Sequence, residues 1–277
     1  MRLLIPFIVF CLSANWQLVL AQNTDHPAAV ADGFDRSNAL EISQTAIGNK
    51  VDDYLFFTSQ GVRKNLSEYK GKPLVISLIY TSCHHICPTT TKHLDTVIGK
   101  ARNALGKDSF HVVTIGFDTD NDTADAMRIF AKQQSVRADN WDFLATDKKT
   151  ITSFSKQLGF QFFPSASGFD HLIQTSLLDK DGVVVRQVYG IQFDTPHLIE
   201  PLKQLVFGEQ PDQSFLQHIG GKIRLFCTVY DPYSDTYQFD YSIFVGLVVG
   251  LVMGGFMVFL LIREWKSSNA ARKGNRL

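Results

Sequence analysis

Leu74-Val75-Ile76-Ser77-Leu78-Ile79-Tyr80 runs directly into Thr81-Ser82-Cys83-His84-His85-Ile86-Cys87-Pro88, and the reading of this stretch decides the fold. Its first seven residues are almost all apolar or β-favouring, the mark of a central strand buried on both faces. Beyond the turn, Leu94, Val97, Ile98, Ala101 and Leu105 recur at helical core spacing, which predicts a helix over 83–107. Working outward, 110–117 reads as a second buried strand, and Asp118 to Thr123 as a loop with a helix cap. Helices are expected at 124–134 and 151–158. Strands at 171–178 and 183–188 flank Asp179-Lys180-Asp181-Gly182, a strong hairpin signal. A last helix over 195–206 carries Pro196 in its first turn. Upstream, Tyr54 to Phe57, the turn Ser59-Gln60-Gly61 and the run from Val62 suggest another hairpin. This order predicts a thioredoxin-like α/β domain over 49–208, preceded by a polar arm over 22–48.

The 277 residues set 27 Lys and Arg against 27 Asp and Glu, which excludes the basic balance of a nucleic-acid binder. With 45% hydrophobic residues, a disordered chain is excluded too. The charges are not evenly spread. Met1-Arg2, a short apolar core and Val19-Leu20-Ala21 read as a secretory signal over 1–21 that carries Cys11 away, the alternative being an uncleaved N-terminal helix. Tyr241 to Ile262 is an uncharged run of 22 residues, long enough to span a bilayer. Asp231, Asp235 and Asp240 precede it, and Arg263, Lys266, Arg272, Lys273 and Arg276 follow. The positive-inside rule therefore places the 263–277 tail in the cytoplasm, with everything before the span, including the 209–240 juxtamembrane segment, on the export side. Gly246, Gly250 and Gly254 make one face of the span smooth, an arrangement that suits a homodimer and equally the ordinary glycine enrichment of membrane helices.

Chemistry concentrates in the turn after the central strand. A helix start favours thiolate over thiol, and three intervening residues bring Cys83 and Cys87 onto one face if the segment is helical. That suits a two-thiolate metal site, whereas a redox pair more often has two intervening residues. A structural disulfide in an oxidising compartment is the plain alternative. Soft thiolates select Cu(I) or Zn, and an imidazole as third ligand also suits Cu(II). Of His84, His85, His93 and His171, the last opens the strand expected beside the central one, so its loop approaches the cysteines. Asp170 is placed to orient the His171 ring. His84 and His85 read as polar loop residues, the alternative being spare ligands; His111 reads as structural, and His26, His197 and His218 carry no functional reading. Cys227, near the membrane, is a third thiol whose open readings are a bridge between two chains, receipt of copper, or simple packing.

Gly71-Lys72-Pro73, the buried strand, Tyr80-Thr81-Ser82-Cys83 with Cys87-Pro88, Phe117-Asp118 with Asp122-Thr123, Asp170-His171, Asp181-Gly182 and Tyr189-Gly190 together resemble the Sco/SenC family. The resemblance covers roughly residues 47–207. It implies a membrane-tethered, thioredoxin-fold copper protein of cytochrome oxidase assembly, one copper ion, Cu(I) or Cu(II), being held by Cys83, Cys87 and His171. The implied partners are an oxidase subunit with a binuclear copper site and a periplasmic copper donor, in the bacterial inner membrane. Two departures stand out: His84 follows the first cysteine where the family commonly has Pro, and the anchor is C-terminal. A different class of function uses the same thiols: Cys83 attacks a target disulfide and Cys87 resolves it, so that the oxidase cysteines are reduced before metallation. A peroxiredoxin-like peroxidase shares the fold but needs its own peroxidatic cysteine context, which nothing beyond Cys83 suggests.

Overall fold

In the computed structural model, which describes residues 34–136, 140–208, 228–231, 234–239 and 241–274, strand β3 (Leu74–Ile79) is buried at every position. It pairs in parallel with β4 (His111–Gly116), Leu74 facing His111 and Ile79 facing Gly116. On its other side it pairs antiparallel with β8 (Gln174–Leu178), Ser77 facing Thr175. β4 pairs in parallel with β5 (Trp141–Ala145). The hairpin β1 (Leu55–Thr58)–β2 (Arg63–Asn65) and strand β9 (Val184–Tyr189) complete a seven-stranded sheet in the order β2-β1-β5-β4-β3-β8-β9. Buried side chains of α2 (Ile86–Leu105), α3 (Ala124–Gln133), α4 (Lys148–Gln157) and α5 (Pro196–Phe207) join those of the strands in one core. This is the thioredoxin-like α/β layout expected from the element order.

The topology explains what meets at one edge. Parallel β3 and β4 both end there, so the turn carrying Cys83 and the loop carrying Asp118 and Asp122 emerge side by side, as at other carboxyl edges of parallel strands. Antiparallel β8 begins at the same edge. The chain entering it therefore delivers its preceding residues, His171 among them, beside the Cys83 turn.

Two features differ from the sequence expectation around the site. The strand expected over 171–178 is broken at Leu172 and Ile173. His171 ends β7 (Gly168–His171), which forms a separate hairpin with β6 (Phe162–Ser165), pairing His171 with Phe162. The helix expected from Cys83 starts at Ile86, leaving Cys83 in the turn before it.

The polar arm is in part an ordered element. α1 (Arg36–Thr45) begins at Asp35, whose carboxylate accepts the N–H groups of Ser37 at 2.8 Å and Asn38 at 3.3 Å. Only Ala39 and Ser43 of this helix are buried, so no apolar stripe announces it. Past the domain, the juxtamembrane segment contains the hairpin β10 (Thr228–Asp231)–β11 (Thr236–Phe239). It leads into α6 (Ser242–Gly274), whose stretch Phe244–Arg263 has mean hydropathy 2.7 and is exposed along its length. The helix runs on through most of the segment read as a tail. The signal segment, Cys11, His26, His218 and Cys227 lie outside the described residues.

Candidate metal centre

The site is built on a helix start. The Cys83 N–H donates to the Tyr80 carbonyl at 3.1 Å, closing the turn after β3. Cys83 Sγ in turn accepts the Cys87 N–H at 3.3 Å. A sulfur thus takes a free N–H of the first turn of α2, where the positive end of the helix dipole favours an anion. Both cysteines are free thiols, Cys83 half-buried and Cys87 only 3% exposed. Of the pair, only Cys87 is on the helix, so the shared face comes from the turn and not from helical spacing.

Their acidities diverge. Cys83 is pushed down to about 4, above all by the hydrogen bond from the Cys87 thiol. Burial opposes this, while the N–H groups of Cys87 and His85 and the Tyr80 hydroxyl support the thiolate. Cys87 is pushed up, first because it donates to Cys83 and then because it is buried, with the thiolate and Asp122 adding their charge. Reduced protein near neutral pH therefore carries one thiolate, shared as S–H···S⁻ between the two sulfurs.

Three residues with no assigned role in the sequence reading hold this arrangement. Tyr80 is buried, and burial followed by its hydrogen bond to Cys83 raises its hydroxyl to about 12, so it stays a donor. Gly168 makes room for it: a Cβ there would lie 2.7 Å from the Tyr80 hydroxyl oxygen, and its φ of +121° suits glycine. Asp122 is 1% exposed, and its carboxylate accepts the Thr81 N–H at 2.7 Å, the Thr81 hydroxyl at 2.7 Å and the Asp118 N–H at 2.9 Å. Burial raises it to about 6 against the pull of those donors. It ties the turn after β3 to the loop after β4. Asp122 needs Gly116 beside it, since a Cβ there would sit 2.4 Å from the Asp122 Cβ. In the sequence Asp122 stands in a capping loop and in one of the motifs that carry the Sco/SenC resemblance, but nothing there gives it a role of its own.

His171 lies among aromatic rings, its centroid 5.3 Å from Phe117, 5.4 Å from Phe160 and 6.2 Å from Tyr80. Its Nδ1 is 2.8 Å from the Leu172 carbonyl. A carbonyl only accepts, so the proton sits on Nδ1 and the Nε2 lone pair is left to donate. Burial pushes the imidazole pKa down and keeps it neutral, the Leu172 carbonyl and the charges of Cys83 and Asp170 opposing. The ring is thus oriented by the Leu172 carbonyl, not by Asp170, which acts on it through charge alone. Peptide geometry allows this bond locally, and no sequence pattern distinguishes it from a bond to a carboxylate.

The other histidines stand apart. His84 and His85 are exposed. His93 Nε2 lies 2.9 Å from the Phe193 carbonyl oxygen and 3.1 Å from the Phe193 nitrogen, and is committed to that backbone. His111 packs edge-on against Tyr69, 5.6 Å between centroids. Among the described residues, no three His, Cys, Asp or Glu side chains are gathered tightly enough to hold an ion as they stand. Cys83 and Cys87 touch, while His171 meets Tyr80, the ring that hydrogen-bonds Cys83. Two sulfurs, one already a thiolate, and a neutral imidazole with Nε2 available nevertheless make a donor set suited to copper.

The family model of SCO1/SenC matches residues 43–206. The chain belongs to the SCO1/SenC family. The SCO1 protein homolog of Bacillus subtilis (strain 168) is 28% identical over 152 residues, 53% of this chain and 77% of that one. A crystal structure of an Aquifex aeolicus VF5 protein, 26% identical, superposes with a TM-score of 0.54 over 61% of this chain and 99% of its own. BsSco, a member of the Sco family of cytochrome c oxidase assembly proteins in which a disulfide switch was identified, is 23% identical, with a TM-score of 0.52 over 57% and 94%. Within this chain the SCO1/SenC match takes in Cys83, Cys87, Asp122 and His171. It leaves out the β10–β11 hairpin and α6.

Proposed function

We propose that the chain is a membrane-anchored copper-binding protein that delivers copper to, or matures, the binuclear copper centre of a cytochrome c oxidase subunit. The observation that carries this reading is the thiolate–thiol contact of Cys83 and Cys87 at the sheet edge that also receives a neutral His171. Copper is cargo, bound as one ion by the two sulfurs and Nε2 of His171. A half-exposed Cys83 lets a recipient's thiolate displace it first, with no change in copper oxidation state. Membership of SCO1/SenC supports the oxidase as destination. The apolar Phe244–Arg263 stretch and the basic residues behind it support a single span with the domain on the periplasmic side of a bacterial inner membrane, after removal of a signal over 1–21.

A second reading rests on the unequal acidity of the two thiols. In a thiol–disulfide oxidoreductase, the Cys83 thiolate attacks a target disulfide, forming a mixed disulfide and releasing one target thiolate. Cys87 then attacks Cys83 Sγ, closing the Cys83–Cys87 bond and releasing the second, so two electrons pass to the target. Anaerobic titration of the full chain with Cu(I) and with Cu(II), wild type against His171→Ala, separates the two. One-to-one binding that the substitution weakens supports copper carriage. Equal, weak binding by both proteins with fast reduction of a target disulfide overturns it in favour of the oxidoreductase.

A further inference from the structure

The β10–β11 hairpin that precedes α6 packs against the SCO1/SenC domain. β10 and β11 pair with Thr228 facing Phe239 and Asp231 facing Thr236, and β11 lies against α2. At its turn, Asp235 forms an ion pair with Lys100 of α2 and is also reached by Thr195, just before α5. The Tyr230 hydroxyl donates to the same carboxylate at 2.9 Å. Tyr237 packs against the main hydrophobic core, with the Tyr230 ring 5.4 Å away. Asp235 itself has φ +47°, a left-handed conformation that aspartate adopts more readily than most residues.

Distances along the chain give these contacts a consequence. Cys87 and Lys100 lie on one continuous helix, so the thiols sit about 20 Å from the grip point. Between Phe239 and the apolar stretch from Phe244 at most about 17 Å of chain intervenes. A flexible tether of about 36 residues with no such contacts would have an end-to-end distance of roughly 35 Å. We infer that the hairpin clamps the domain to its membrane anchor, holding the thiol end of α2 at one height above the bilayer for a recipient seated in the same membrane. This rests on the reading of Phe244–Arg263 as a span.

The full chain in liposomes tests it. A zero-length carbodiimide should join Lys100 to Asp235, detected as a crosslinked peptide pair by mass spectrometry. With Cys11, Cys87 and Cys227 changed to Ser, a donor fluorophore on Cys83 and acceptor lipids should report one narrow transfer distance. Asp235→Lys should abolish the crosslink and broaden the distance, and Lys100→Asp added to it should restore both. Tyr237→Ala should broaden the distance by a route independent of the ion pair. No crosslink in the unaltered chain, or a distance unmoved by both Asp235→Lys and Tyr237→Ala, overturns the clamp. Release of the chain from vesicles by alkaline carbonate overturns the membrane reading on which it rests, whatever the crosslink shows.

Discussion

The Cys87 backbone N–H points at Cys83 Sγ from 3.3 Å while the Cys87 thiol is sunk in the core at 3% exposure. One residue thus both stabilises its partner's thiolate and withholds its own sulfur from solvent. Alkylation of the reduced protein by iodoacetamide should accordingly strike Cys83 first, with a rate that titrates near pH 4. An unperturbed thiol would titrate at about 8.5. Peptide mapping across a pH series checks this; Cys87 reacting first, or a midpoint above pH 7, would contradict the hydrogen-bond assignment.

His171 offers Nε2 because Leu172 holds Nδ1. Replacing it with Ala should weaken Cu(I) and Cu(II) binding by about 10-fold to 100-fold or more. Competition with a chromophoric chelator measures the loss, and an unchanged circular dichroism spectrum would separate it from unfolding of the Phe117–Phe160 surroundings. Asp170→Asn should matter much less, because Asp170 makes no hydrogen bond to the ring and contributes only charge.

Asp122 should matter for stability and for the site together. Asp122→Ala leaves three donors without their acceptor, at a cost of about 3 kcal/mol in chemical denaturation. Asp122→Asn retains an acceptor oxygen for Thr81 but presents an amide as its second group, and should cost about 1 kcal/mol. The pH signature distinguishes the pair from generic damage. The carboxyl rises from 3.8 to about 6 on folding, so the folded state binds its proton more tightly than the unfolded chain. That contribution is fully present below the unfolded value and is lost as pH rises through 6. Denaturation midpoints compared from pH 3.5 to 7 should show this dependence in wild type and not in Asp122→Asn.

How far the sequence reached depended on whether a residue's role is local. β3 and the Cys83 turn are legible because a continuous apolar run of that length reads as a strand buried on both faces, and the turn at its end must then emerge at a sheet edge. His171 is legible because the hairpin after it signals an adjacent strand. Gly168 and Asp122 act through contacts between segments that no spacing rule connects, and Tyr80, three residues before Cys83, shows its role only once its buried hydroxyl is seen to reach that sulfur. β5 was missed because Trp141–Ala145 is short and adjoins the helix start at Lys148. α1 was missed because it buries one small and one polar side chain, and a helix without an apolar stripe reads as linker.

The packing of α1 yields the last prediction. Gly159 has φ +65°, and a Cβ on it would lie 2.7 Å from the Ala46 Cβ and 2.7 Å from the Ile42 carbonyl oxygen. Ser43 Oγ meets Gln174 Oε1 at 2.7 Å, and Gln174 Nε2 reaches the Leu158 carbonyl and Ser176 Oγ, each at 3.2 Å. Ser176 passes the chain on to Gln187 at 2.7 Å, which returns to the Leu158 carbonyl at 3.0 Å. α1 is therefore the lid on a buried polar network, and its loss would open that network to solvent. Gly159→Ala combines an unfavourable backbone conformation with a clash against backbone atoms, and should destabilise the protein by about 2–3 kcal/mol. Ser43→Ala removes one end of the network and should cost about 1 kcal/mol. Thermal denaturation measures both, and hydrogen exchange locates the effect, which should appear in α1 and β8. Full stability in Gly159→Ala would return residues 36–45 to the status of an arm.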